Sequence, residues 1–215
     1  MTYPCLCQLR PGGLGLTERL LARCGLGGSS RVLDLGCGRG ETAVLIRRRY
    51  TDHVCAIDPD PALLAAARAA DPQLKTCCLA AEALRCRNER FDLVVAECSL
   101  SLARTGRALA EISRVLKPGG RLAFSDLYAR GEEAEVSEEG RLLRRIYSRE
   151  HWLSLLSGAG LVYEGWEDAS ACLHQMMGQL ILDHGMEEAH CLLGLDSCAL
   201  RRARPGYLLL WAVKP

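Results

Sequence analysis

The chain has 215 residues, 49% of them hydrophobic, and 27 basic against 26 acidic side chains give a net charge of +1. That length and apolar content suit one domain with a full core, and the near-neutral balance gives no bulk attraction to nucleic acid or to an anionic membrane. No apolar run reaches the roughly 20 residues that span a bilayer, and Met1 to Arg10 lacks the basic start and apolar stretch of a secretion signal, so a cytoplasmic protein is expected.

Taken in chain order, Arg10-Pro11-Gly12-Gly13 is a turn, and Leu16 to Cys24 a short helix with Thr17 as candidate N-cap. Arg31 to Leu35 reads as a strand and Gly40 to Tyr50 as a helix, whose closing Arg47, Arg48 and Arg49 suit the negative end of its dipole. A second strand covers His53 to Ile57, with Asp60 before Pro61 capping an alanine-rich helix to Ala70. Thr76 to Leu79 and Phe91 to Ala96 are the next strands. Thr105 to Leu116 is a helix, Lys117-Pro118-Gly119-Gly120 a turn, and Arg121 to Ser125 a fifth strand.

Beyond Leu127 the acidic stretch Gly131 to Gly140 reads as a mobile loop or frayed helix. Ser148 to Ala159 is a helix capped by Ser148, and Leu161 to Glu167 a strand. Ala171 to His184 and Met186 to Ala199 are helical, and Tyr207 to Val213 is the last strand. One domain over 1–215 is expected, with a helical cap over 1–30, a mobile segment over 129–147 and a helical lid over 170–205. Alternating helices and near-continuous apolar strands predict an α/β fold, a mostly parallel sheet covered on both faces.

Twelve cysteines are many, but a chain this long and apolar needs no staples. Cys37, Cys55 and Cys98, in or beside strands, read as buried thiols in a reducing compartment. The spacings Cys5-Leu6-Cys7 and Cys77-Cys78 do not suit zinc, and no metal site is expected.

The motif of most consequence is Val32-Leu33-Asp34-Leu35-Gly36-Cys37-Gly38-Arg39-Gly40. An apolar strand runs into an acid and three glycines, so backbone can approach a nucleoside closely. A dinucleotide fingerprint would space its glycines differently, and the Asp34 carboxylate repels a pyrophosphate while attracting an ammonium or sulfonium. The pattern points to a positively charged adenosine cofactor, S-adenosylmethionine. Asp58, in Ala56-Ile57-Asp58-Pro59-Asp60, ends the second strand where a carboxylate accepts both ribose hydroxyls. Ala81 and Glu82, after the third strand, offer backbone groups to an adenine edge, or form an ordinary loop. Glu97 and Cys98 emerge at the same crevice.

These segments, with Leu116-Lys117-Pro118-Gly119-Gly120-Arg121-Leu122, stand in the order and spacing of the class I S-adenosylmethionine-dependent methyltransferases, which the chain resembles over most of its length. The resemblance implies a Rossmann-like seven-stranded sheet with an antiparallel last strand, cofactor contacts within Asp34, Gly36, Cys37, Gly38, Gly40, Asp58, Pro59, Ala81, Glu82 and Glu97, and S-adenosylhomocysteine as product. Ala80 departs from the pattern, since many relatives carry an acid there for the adenine amino group.

Within the family the chain is similar to the quinone-biosynthesis-like branch and more so to the arsenite-methyltransferase-like branch. The latter likeness rests on Cys98, Phe124-Ser125-Asp126-Leu127-Tyr128, Ala159-Gly160-Leu161 and Trp166-Glu167-Asp168; Arg10-Pro11-Gly12-Gly13 and Pro205-Gly206-Tyr207 suggest a bacterial subgroup beside it. Arsenic(III) is thiophilic and wants two or three sulfurs. Cys98 supplies one, but Arg141 to Ile146 contains no second, leaving Cys5, Cys7, Cys172, Cys191 or Cys198 to substitute. Cys98 is thus a candidate catalytic residue or a buried structural thiol.

Arg10 reads first as a surface arginine and second as a ligand to the cofactor carboxylate. His174, His184 and His190 are spaced too irregularly for a metal pair. Leu173, Met176, Met177, Leu180 and Ile181 read as packing, and Arg201-Arg202-Ala203-Arg204 as a solvated turn. The expected activity is methyl transfer to a small-molecule acceptor. A metalloid methyltransferase, a non-catalytic cofactor-binding module and, more remotely, a nicotinamide dehydrogenase are the alternatives. The sequence does not give an oligomeric state.

Overall fold

A computed structural model describes residues 10–138, 142–185 and 198–215. Its main sheet contains β1 (Val32–Leu35), β2 (Val54–Asp58), β3 (Lys75–Cys78), β4 (Phe91–Glu97), β5 (Leu116–Ala129), β8 (Val162–Asp168) and β9 (Pro205–Val213). Their order is β3-β2-β1-β4-β5-β9-β8, and β9 runs antiparallel to both neighbours. This is the expected seven-stranded sheet. The chain winds outward from β1 through β2 to β3, then returns to place β4 on the other side of β1. That reversal opens a crevice beyond the carboxyl ends of β1 and β4, where open α/β sheets bind ligands.

Both sheet faces are covered, which is why the strands are apolar on both sides. Leu33, Leu35, Val94, Phe124 and Leu210 face α4 (Thr105–Val115) and α5 (Arg149–Gly158). Val32, Ala56, Val95, Leu209 and Trp211 face α1 (Gly13–Ala22), α2 (Glu41–Arg49) and α3 (Pro61–Ala70). Two further helices are α6 (Ser170–His184) and α7 (Cys198–Ala203). Leu173, Met176 and Met177 of α6 pack against the second cluster, as the spacing predicts.

The caps at Asp60 and Ser148 form as read: Asp60 Oδ1 accepts from Ala62 N–H at 2.7 Å, and Ser148 Oγ from His151 N–H at 3.2 Å. Thr17 does not cap. Gly12, with φ 75°, holds that position, and Thr17 lies fully buried inside α1. Lys117 to Gly120 does turn, but as an excursion within β5: Phe91 pairs with Leu116 and Leu93 with Arg121, so four β5 residues stand opposite Asp92. The acidic stretch read as a mobile loop contains a strand instead. β6 (Ala134–Glu138) pairs antiparallel with β7 (Leu142–Ile146), setting Glu135 opposite Arg145, whose side chains bond at 2.9 Å. Arg201 and Arg202 lie on α7, not in a turn, and Arg202 pairs with Glu132. Cys5, Cys7, His190, Cys191 and the expected helix over 186–197 lie outside the described residues.

Candidate functional site

At the crevice, β1 ends in a glycine turn that the neighbouring strand fixes. Gly36 has φ 72°, and a Cβ there would stand 2.4 Å from the Ser99 Cβ; Ser99 in turn donates to the Leu35 carbonyl at 2.8 Å. Gly36 is thus glycine so that the segment after β4 can close on the end of β1. Gly38 differs: φ is 54°, and an added Cβ would meet nothing within 4 Å, leaving open space beside its Cα for a ligand. Gly40 is a packing glycine at the start of α2, its Cβ direction blocked 2.8 Å away by Ala67.

Asp58 braces this turn. Its Oδ2 accepts from Gly38 N–H and its Oδ1 from Asp60 N–H, each at 2.9 Å, and each oxygen keeps a lone pair for a further donor. Glu97, at the end of β4, is the hub. It accepts from Thr42 Oγ1 at 2.6 Å, Thr17 Oγ1 at 3.1 Å and Arg10 Nη1 at 3.2 Å. Arg10 crosses from Glu97 to Glu41, 3.0 Å from the latter, and its side chain is only 15% exposed. The first reading of Arg10 as a surface residue is therefore corrected. Thr17 and Thr42 had no signal as ligands in sequence, because a threonine inside an amphipathic helix looks like filler until the fold points it at a carboxylate.

Asp34 is buried, and its Oδ2 has no hydrogen-bond partner. Desolvation, with Glu97 nearby, raises its carboxyl from 3.8 to about 7. A cavity of about 250 Å³ brings together Arg10, Asp34, Gly36, Cys37, Gly38, Glu97 and Cys98. Asp58 reaches its edge through Gly38. Gly40, Pro59, Ala81 and Glu82 do not line it, and Glu82 Oε1 is occupied by the Arg104 N–H at 2.6 Å. A larger concavity of about 530 Å³ opens at the opposite end of the sheet, away from the glycine turn. The topological reversal, not size, marks the crevice as the candidate site.

Cys98 has an unusual backbone for a side-chain-bearing residue, φ 56°. Its Sγ lies 2.8 Å from the Tyr207 hydroxyl, which donates to Ser125 Oγ at 2.8 Å, so the thiol proton points to Tyr207. Burial, reinforced by Asp126, pushes this thiol up to about 12, and burial also raises Cys37 and Tyr207. None is a thiolate or phenolate at neutral pH. Among the described residues no cluster of three His, Cys, Asp or Glu side chains has metal-binding geometry, and every described cysteine is free.

Residues 33–124 match a family model described as a methyltransferase domain. The match takes in the glycine turn, Asp58 and Glu97, so this stretch is similar to a methyltransferase domain. The uncharacterized methyltransferase YodH of Bacillus subtilis strain 168 is 38% identical over 120 residues, 52% of this chain and 49% of that protein. The chain spans about half the length of the curated relatives it matches. Among solved structures, the [4+2]-cyclase SpnF is 29% identical, with a TM-score of 0.75 over 94% of this chain and 81% of its own. The geranyl diphosphate C-methyltransferase of Streptomyces coelicolor A3(2), at 17% identity and TM-score 0.78 over 94% and 79%, shares the fold of the methyltransferase domain. None of these likenesses singles out the arsenite or quinone branch. No described helix is long and apolar enough to cross a membrane.

The residues of the domain fit S-adenosylmethionine. The unpartnered Asp34 oxygen suits a cationic donor, Gly38 leaves space beside its Cα, and Asp58 retains acceptors for a diol.

Proposed function

We propose that the protein transfers a methyl group from S-adenosylmethionine to a small-molecule acceptor. The observation that carries this reading is the buried, unpartnered Asp34 oxygen beside an open glycine turn, an arrangement that favours a cationic ligand and opposes a phosphate. When bound, the cofactor supplies an electrophilic methyl on a sulfonium. Asp34 and Glu97 stabilise its positive charge, Asp58 holds the sugar, and Gly36, Cys37 and Gly38 shape the turn over which it lies. Ala81, Glu82, Pro59 and Gly40 act around the rim or through packing.

Alignment is the main contribution, since in-line displacement needs the acceptor about 3 Å from the methyl. The Cys98 thiol and Tyr207 hydroxyl hold their protons at neutral pH and so do not serve as bases. The acceptor brings its own lone pair, as a thiolate or an enolate does. Cys98 then forms a wall of the acceptor space, not a nucleophile or ligand. The metalloid reading needs a second or third sulfur at Cys98. Cys37 is the other thiol lining the cavity, and burial holds it protonated as well. A second use of the fold has support in the [4+2]-cyclase at 29% identity, because a fold does not fix its chemistry.

Incubation with methyl-labelled S-adenosylmethionine and a panel of thiols, quinones and arsenite, read by product mass, tests the proposal. Label transfer to a panel member or an extracted metabolite is the expected result. Cofactor binding without transfer to any acceptor, including whole-cell extract, overturns it in favour of a binding or cyclising role.

A further inference from the structure

The concavity at the amino ends of β1 to β4 has a character opposite to that of the crevice. Arg31, Lys75, Arg87 and Arg90 line it against one acid, Glu89, on a chain whose total charge is only +1. The acids at hand already have cations of their own. Glu89 stands 3.7 Å from Lys214 Nζ, and Asp92 accepts from Lys117 Nζ at 2.6 Å and from the Arg31 backbone N–H at 2.8 Å. The Lys75 and Arg87 side chains make no hydrogen bond or ion pair among the described residues, although the Lys75 backbone pairs with β2, and the Arg31 guanidinium makes no hydrogen bond. Arg90 lies over the Phe91 ring at 5.4 Å. Behind these cations lie Val54 and Phe91, each 2% exposed, with half-buried Cys55.

We propose that this groove binds a small polyphosphate ester, a molecule with two or more phosphates on an apolar or planar body. The exposed rim cations supply charge for the phosphates, and the planar arginine guanidinium groups stack on the body. Its volume of about 530 Å³ falls within the range of small-ligand sites, roughly 300–1,000 Å³, and its concavity and the chain's near-neutral charge favour a compact ligand over a nucleic-acid backbone. Phe91 and Glu97 mark the two ends of β4. Six residues at about 3.3 Å each separate the groove from the crevice by roughly 20 Å, so both can be filled at once. The proposal does not rest on methyl transfer.

Titration calorimetry of the full chain with ADP and, separately, with inorganic pyrophosphate tests it, with and without saturating S-adenosylhomocysteine. Saturable ADP binding is expected in both conditions, weakening at least tenfold between 50 and 200 mM salt, with pyrophosphate weaker than ADP. The doubly substituted K75E/R87E protein should bind ADP at least tenfold more weakly while keeping its unfolding midpoint and its S-adenosylhomocysteine affinity. Arg87→Ala alone should show a smaller loss in the same direction. No ADP binding up to millimolar concentration overturns the proposal. So does ADP binding that S-adenosylhomocysteine abolishes and K75E/R87E leaves intact, which would place ADP in the crevice. A single-stranded RNA oligonucleotide that binds more tightly than ADP and displaces it would likewise overturn it, in favour of a nucleic-acid surface.

Discussion

The same strands end in two sites that handle charge in different ways. At the carboxyl end, Asp34, Glu41, Asp58 and Glu97 crowd together, and protein donors already occupy most of their oxygens, so the site is built by short internal hydrogen bonds. At the amino end, cations stand in solvent with few partners. A preorganised network is sensitive to single atoms, whereas a solvated field responds to net charge and salt. The crevice should therefore break under isosteric changes that the groove would not register.

The largest effect is expected from Gly36→Ala. The new Cβ collides with Ser99 and must adopt a left-handed backbone, which together cost about 3 kcal/mol. S-adenosylhomocysteine binding should be lost with it. Gly38→Ala has the same backbone problem without the collision and should cost about 1 kcal/mol, so urea unfolding of the pair separates sterics from conformation. Equal losses for the two would mean that the contact between the ends of β1 and β4 does not set the crevice.

Asp34→Asn comes next. The folded carboxyl sits at about 7 and the free one near 3.8, so the folded state holds its proton more tightly. Stability should therefore fall as pH rises from about 4 to about 7. The Asp34→Asn substitution should remove that slope and make the ligand-free protein more stable at pH 8. A cationic ligand favours the ionised form, so S-adenosylmethionine, with its sulfonium, should bind wild-type protein more tightly as pH approaches 7 and release protons at pH 6. Calorimetry in buffers of different ionisation enthalpy reads that release, and its absence would mean that the ligand does not engage Asp34. Thr42→Val, which removes the 2.6 Å donor to Glu97, should weaken the ligand about tenfold, or about 1.4 kcal/mol, with a smaller loss of stability.

The parallel core was legible because β1, β2 and β4 are short, largely apolar runs bounded by turn residues, and Asp34, Gly36 and Gly38 stood in one unbroken motif. What escaped depended on contacts between distant segments. Thr17 resembles a cap until α1 packs against β4 and turns the hydroxyl to Glu97, 80 residues away. Arg10 resembles a surface residue until its guanidinium reaches Glu41 and Glu97. The β6–β7 ladder escaped because its acidic strand has little apolar alternation, and its pairing relies on cross-strand partners such as Glu135 and Arg145. Glu82 sits in the expected loop, but its carboxylate ties that loop to α4, a use that adjacency in sequence did not reveal.

The smallest effect is expected at Cys98, and it bears most on the acceptor. Cys98→Ser keeps a donor toward Tyr207, so stability should change by less than about 1 kcal/mol and S-adenosylhomocysteine affinity should hold. If Cys98 is a protonated wall residue, methyl transfer by the serine variant should fall by less than about threefold, and raising pH from 7 to 9 should not activate wild type, because the thiol titrates near 12. A thiolate ligand to a soft acceptor predicts the reverse: abolished turnover with cofactor binding intact, since serine oxygen is a poor partner for a thiophilic centre. Wild type and variant carry the same left-handed backbone at this position, so strain cancels in the comparison. What remains is the chemistry of one sulfur atom set against a hydroxyl that already holds its proton in place.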